Sequence, residues 1–201
     1  MLDDDGASPW RLGGDAGDVG ESGEIICGEP DQVIETLEGA ARLGECDVYR
    51  GSFQFEEGTF ETDSDLEKLP DLRVIEGAIE IVASGVESVH GLERLERVGD
   101  FRLQGGGAES LNGLSNLRQV DGTLRLRFTR LRNLRGLEKL RSIGSIFFST
   151  NPKLQSLDGL ESLERVRGDV VFTSNPEITV DEAKAFVDRI KIEGKVEIRD
   201  R

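Results

Sequence analysis

The heptapeptide FSTNPKL at Phe148–Leu154 returns twenty-four residues later as FTSNPEI at Phe172–Ile178. A phrase written twice at a fixed interval predicts one structural unit stacked on another, so the interval should recur elsewhere in the chain. It does. The dipeptide Gly-Leu stands at Gly91-Leu92, Gly113-Leu114, Gly136-Leu137 and Gly159-Leu160, in steps of 22, 23 and 23 residues. Three residues after each of these leucines comes Leu95, Leu117, Leu140 or Leu163, and three further on a branched residue, Val98, Val120, Ile143 or Val166. Leu69, Leu72 and Ile75 extend the same columns upstream, so about five coils are legible.

Each branched residue is followed by a glycine-led alternation: EGAIEI to Ile81, GDFRL to Leu103, GTLRL to Leu126, GSIFF to Phe148 and GDVVF to Phe172. Period-two alternation marks a short strand with one buried face. One strand per coil, followed by a corner and a leucine-spaced return, predicts a parallel β-solenoid with leucine-rich-repeat-like coils of 22–24 residues. A run such as GLEKLRSI also has helical spacing, but glycines interrupt every unit and each costs about 1 kcal/mol inside a helix. Asn151 and Asn175 fall at the corner, where an asparagine side chain can bond backbone groups that the turn leaves unpaired. The inward pairs are then Phe53 and Phe55, Ile79 and Ile81, Phe101 and Leu103, Leu124 and Leu126, Ile146 and Phe148, and Val170 and Phe172.

The 201 residues suit one domain plus a tail. Residues 1–24, rich in Asp and Gly, predict a disordered acidic tail with Trp10 incidental to it, and residues 25–201 the folded domain. No stretch approaches 18 apolar residues, so no membrane span is expected, and the opening segment lacks the basic start and apolar core of a signal peptide. Net charge is −15, unevenly spread: residues 1–66 carry 18 acids against 3 bases, whereas residues 94–141 carry 11 bases against 5 acids. An acidic chain argues against nucleic acid as the partner, because Lys and Arg supply affinity for phosphate backbones. A salt-adapted source would give the same acidity.

Cys27 and Cys46 are the only cysteines. Between them, Val33, Leu37, Ala40 and Ala41 suggest one face of a helix begun by Pro30 and Asp31, which would cap the open end of the first coil. A disulfide between Cys27 and Cys46 stapling that cap is expected, with two buried thiols of a cytosolic protein as the alternative. At the far end, Ala183, Phe186, Val187 and Ile190 form a helical stripe, capped by Thr179 or Asp181, that can cover the last coil.

Cys27, a helix, Cys46 and DVYRGSFQFE, then coils such as GLERLERVGDFRLQ and LDGLESLERVRGDVVFTSNPEI, then TVDEAKAFVDRIKIEGKVEIRD, together resemble the receptor L domain. That is the ligand-binding module of the insulin and epidermal growth factor receptors, also found in secreted or surface proteins of bacteria. The resemblance covers about residues 25–200 and implies a right-handed β-solenoid, an extracellular or cell-surface location and noncovalent binding of a protein or glycan ligand. It names no ligand. Without signal peptide, cysteine-rich segment or membrane helix, the chain reads as a lone, bacterial-type module, and a cytoplasmic location stays open.

Chemistry has little to work with. His90 is the only histidine, so neither a histidine-built metal site nor a histidine-activated nucleophile is expected. Gly105–Gly107 read as a loop without the lysine of a phosphate-binding motif. Some β-solenoids cleave sugars with paired carboxylates, but Glu93, Glu96, Glu138, Glu161 and Glu164 read as solvated return-segment surface. No enzyme and no cofactor are expected. A binding module leads, with a structural or adhesive surface protein as its rival. If the inward assignments hold, the outward strand centres are Gln54, Glu80, Arg102, Arg125, Phe147 and Val171, one ladder across the sheet, with Arg127 at a strand end and Arg130 and Arg132 round the following corner. Arginine beside an exposed aromatic is interface chemistry, so Glu80, Arg102, Arg125, Arg127, Phe147 and Val171 are the candidate ligand-binding set.

Overall fold

The computed structural model describes residues 18–20, 23–55, 58–82, 85–105 and 107–199. Most of the expected acidic tail, including Trp10, lies outside the described residues, as does Gly106 of the glycine loop. The described part is mainly β, with few helices. Its 13 strands form a single sheet that is not closed on itself.

In chain order the strands are β1 (Asp18–Val19), β2 (Ile25–Cys27), β3 (Val33–Ile34), β4 (Val48–Tyr49), β5 (Ser52–Gln54), β6 (Val74–Val82), β7 (Arg97–Gln104), β8 (Gln119–Arg127), β9 (Ser142–Ser149), β10 (Arg165–Val166), β11 (Val170–Thr173), β12 (Lys191–Ile192) and β13 (Val196–Arg199). β1 pairs antiparallel with β2, and every other pairing is parallel. The central strands are longer than the alternation alone suggests, because the branched residue and the alternating stretch share one strand. Between them the register shifts, as at Val98/Phe101 between β7 and β8. Gly99 sits at that bend, where an added Cβ would strike the carbonyls of Glu76 and Gly77 in the neighbouring strand.

All twelve inward positions are buried, and Ile79, Phe101, Leu124 and Ile146 lie side by side in register. The leucine columns are buried too, but not in helices. Leu95, Leu117, Leu140 and Leu163 each donate a backbone N–H to the leucine three residues before, at 3.0, 2.8, 2.9 and 3.1 Å. The return is therefore a repeated tight turn; among the described residues only Asn112–Leu114 forms a 3-10 helix.

The first cap differs from expectation. Helix α1 is Leu37–Ala41, begun by Thr36, whose Oγ1 accepts the Gly39 N–H at 3.0 Å, and not by Pro30 and Asp31. Val33 lies in β3 and is exposed, and of the proposed stripe only Ala40 is fully buried, with Leu37 packed against the core. A β-branched Val-Ile pair before a threonine is better placed in an extended strand, and β3 pairs with β5 through Val33↔Ser52 and Ile34↔Phe53. A further repeat thus precedes the first one legible from leucines. A second short helix, α2 (Asp63–Leu66), follows Thr62. Helix α3 (Val180–Arg189) is capped by Thr179, whose Oγ1 accepts the Glu182 N–H at 3.1 Å, and it buries Ala183 and Phe186.

Cys27 and Cys46 are disulfide-bonded, with Cα atoms 6.0 Å apart. The bond ties the end of β2 to the residues leading into β4, its parallel neighbour.

Candidate functional site

Alternation decides what the outer face displays. With Ile79, Ile81 and their counterparts buried, the residues between them point away from the core. Register then aligns them: Gln54 pairs with Glu80, Glu80 with Arg102, Arg102 with Arg125, Arg125 with Phe147, Phe147 with Val171, and Val171 with Glu197. A second row runs beside it through Gln104, Arg127, Ser149, Thr173 and Arg199. Arg125 and Arg127 are therefore neighbours on one face of β8.

The arginines of the ladder are not equivalent. Arg102 is held by acids on both sides, with Nη2 2.9 Å from Asp100 Oδ2 and Nη1 3.6 Å from Glu80 Oε2. Its Nε is buried and lacks a hydrogen-bond partner among the described residues. Arg125 has no carboxylate within reach among those residues, and its guanidinium carbon lies 5.6 Å from the Phe147 ring centre. Arg127 stands 4.5 Å from the ring of Phe128. Two cation–aromatic pairs therefore lie next to each other. The Arg125–Phe147 pair and Arg127 line an open depression of ≈ 250 Å³, together with Ser149, Val171 and Thr173.

Phe128 is the residue that alternation misses. It follows β8 at the corner, is 42% exposed, and has φ 56, the left-handed region. The same corner carries Gly105 (φ 136), Thr150 (φ 57) and Ser174 (φ 55) in the neighbouring repeats. Its outlying character shows in the column comparison: glycine or a small hydroxyl residue elsewhere, an aromatic here.

A second depression, of ≈ 350 Å³, lies at the return corners between Glu67, Leu69, Asp71, His90, Gly91 and Glu93. His90 Nδ1 is 2.9 Å from Glu93 Oε1, and Glu93 Oε2 accepts the Gly91 N–H at 2.9 Å. Burial pushes the Glu93 carboxyl up, but hydrogen bonds from His90 and from backbone N–H groups outweigh it and leave the acid below its ordinary range. The arrangement is a corner device that recurs. Glu138 accepts the Gly136 N–H at 3.0 Å, and Glu161 accepts the Gly159 N–H at 2.9 Å. These three glutamates are exposed, as expected of return-segment surface, and each also accepts a backbone N–H of its own corner. Among the described residues no group of three or more His, Cys, Asp or Glu could hold a metal ion. No helix among them is long and apolar enough to cross a membrane.

Residues 45–154, more than half of the chain, match the Receptor L domain family model. The chain belongs to the receptor L domain family. No curated protein and no solved structure matches it. The receptor L domain is a non-enzymatic ligand-binding module, and a disulfide fits the oxidising surroundings of such domains. The family match spans β4 to β9 and so includes Glu80, Arg102, Arg125, Arg127 and Phe147, with Val171 beyond it.

Proposed function

We propose that this receptor L domain is a non-catalytic binding module of the cell surface or extracellular space, binding its ligand on the outer sheet face. In this reading residues 25–201 form one right-handed parallel solenoid, with α1 and α3 covering its two ends and the disulfide securing the first. The ligand lies across Glu80, Arg102, Arg125, Arg127, Phe147 and Val171. The observation that carries the reading is the depression around Arg125 and Phe147. There an arginine free of acids among the described residues, an aromatic ring and a valine meet in mid-face. Arginine and aromatic side chains supply most of the energy in protein interfaces. By contrast, Arg102 is already neutralised and serves to set the rim.

The test is capture of extracellular proteins and glycans on the immobilised full chain, followed by direct titration of whatever binds against an R125A/F147A double variant. Loss of binding with unchanged thermal unfolding supports the outer face. Undiminished binding by a folded double variant moves the ligand site to the return segments or the ends.

A further inference from the structure

Residues 122–137, GTLRLRFTRLRNLRGL, contain five arginines and no acid, in a chain whose net charge is −15. Elsewhere arginines are mostly engaged: Arg94 with Asp47 at 3.1 Å, Arg97 with Asp121 at 2.6 Å, Arg141 with Glu164 at 3.5 Å and Arg167 with Asp121 at 3.5 Å. Arg125, Arg127, Arg130, Arg132 and Arg135 are all exposed, and none has an ion pair among the described residues. They run from the outer face of β8 round the corner that Phe128 occupies and onto the return segment. Like charges set along one strand and the turn after it repel one another, and a bound anion would relieve that repulsion.

We propose that this strip binds a short acidic segment of a partner protein, whose carboxylates meet the guanidinium forks while an apolar side chain of the same segment rests on Phe147 and Phe128. The proposal deepens the outer-face reading and rests on it. Three observations select this occupant. The planar guanidinium offers paired donors that match a carboxylate, so five arginines favour discrete carboxylates. Phe147, Val171 and the 42%-exposed Phe128 add apolar contact that a sugar sulfate or phosphate chain does not use well. The strip is also short. Glu80 and Asp100, both paired with Arg102, border it on the β6 and β7 side, and Glu197, paired with Arg199, lies two strands beyond Phe147, so the unpaired positive charge across the sheet is confined to a span that suits a short segment. Phe128 strengthens the case, because the left-handed φ that this corner shares with Gly105, Thr150 and Ser174 suits a small residue better than an aromatic, so the turn itself does not account for the exposed ring.

The experiment is fluorescence anisotropy of the full chain with a short labelled peptide of glutamates around one phenylalanine. Its controls are the glutamine analogue of that peptide, a heparin oligosaccharide and a single-stranded DNA. The acidic peptide should bind at least about ten-fold tighter than the glutamine peptide, and R125Q/R127Q should lose about ten-fold or more, as expected for losing charge-assisted hydrogen bonds. R165Q, at an exposed arginine of β10 outside the strip, should bind unchanged. Because Arg125 and Arg127 have no ion pair among the described residues and lose only exposed cation–aromatic contacts, R125Q/R127Q should stay folded, with an unfolding temperature within a few degrees of the wild type. Equal binding of the two peptides, undiminished binding by R125Q/R127Q, or tighter binding of heparin or DNA than of the acidic peptide overturns the proposal. A captured ligand that needs Arg125 and Phe147 but is not displaced by the acidic peptide keeps the outer face and removes the acidic class. An acidic peptide that binds while R125A/F147A leaves the captured ligand undisturbed removes the outer-face reading instead.

Discussion

The buried side chains of Asn151 and Asn175 are joined one above the other, Nδ2 of Asn151 donating to Oδ1 of Asn175 at 3.0 Å. The ladder continues toward the preceding repeat. Asn151 Oδ1 accepts from the backbone N–H and hydroxyl of Thr129 at 3.1 and 2.8 Å, and the two Nδ2 groups also donate to Leu126 O and Phe148 O, at 3.1 and 2.9 Å. Asn151→Ala therefore orphans several buried groups at once. Leaving a buried polar group unpaired costs about 1–3 kcal/mol, so a loss of about 3 kcal/mol is expected in chemical denaturation. A double-mutant cycle with Asn175→Ala should show coupling of about 1 kcal/mol. Additive losses would mean that the two side chains act separately.

The disulfide between Cys27 and Cys46 closes a loop of sequence separation 19. In the chain-entropy treatment such a closure stabilises by about 3 kcal/mol, acting on the unfolded chain. The C27S/C46S variant should lose about that much in urea unfolding, while reductant should lower the melting temperature of the wild type and leave the variant unmoved. Since the bond lies near the end of the sheet, binding on β8 and β9 should survive in whatever fraction remains folded.

How much of this could be read beforehand differs along the chain. The inward pairs and the outward ladder followed from period-two alternation, because a strand buried on one face writes its register directly into residue type. The columns of leucine were equally plain, but their backbone was not: i, i+3 spacing suits a helix and a tight turn alike, and the close approach of neighbouring backbones decides. At Gly136, with φ 107, an added Cβ would strike the Leu111 carbonyl of the preceding repeat, a fact about stacking distance. The first cap was misjudged because its one-turn helix is too short to show a period, and Val33–Ile34 belongs to a strand whose partner, β5, is nineteen positions further on. Phe128 was missed for another reason. Nothing in residue type marks left-handed φ unless the residue is glycine or asparagine, so an aromatic there is silent until its corner is compared with Gly105, Thr150 and Ser174.

Tyr49 is the only tyrosine in the chain, its ring buried beside Phe53 and its hydroxyl donating to Gln32 O at 3.4 Å. Burial pushes its phenol up from 10.0 to about 12. The fold thus favours the protonated form. The stability it contributes is fully present below pH 10 and is lost as pH rises from 10 through about 12. In an absorbance titration of tyrosinate, the midpoint should fall near 12 or coincide with unfolding followed by circular dichroism. A midpoint at the ordinary value with the fold intact would place the hydroxyl in solvent.

Phe128 offers the sharpest separation of stability from binding. Its φ of 56 is a conformation that costs a non-glycine residue roughly 1–2 kcal/mol, and that asparagine tolerates better than an aromatic. Against this relief stands the lost contact with Arg127, whose guanidinium carbon is 4.5 Å from the ring; such exposed pairs contribute about 0.5–1 kcal/mol. Phe128→Asn should therefore leave stability unchanged or raise it by up to about 1 kcal/mol, against the usual direction for removing a large side chain. If the aromatic is held there for a ligand, the same variant should bind the acidic peptide several-fold more weakly, while Thr150→Asn in the next repeat leaves peptide binding alone. Destabilisation by more than about 1 kcal/mol would assign Phe128 to the packing of the corner, and unweakened binding would take it out of the site.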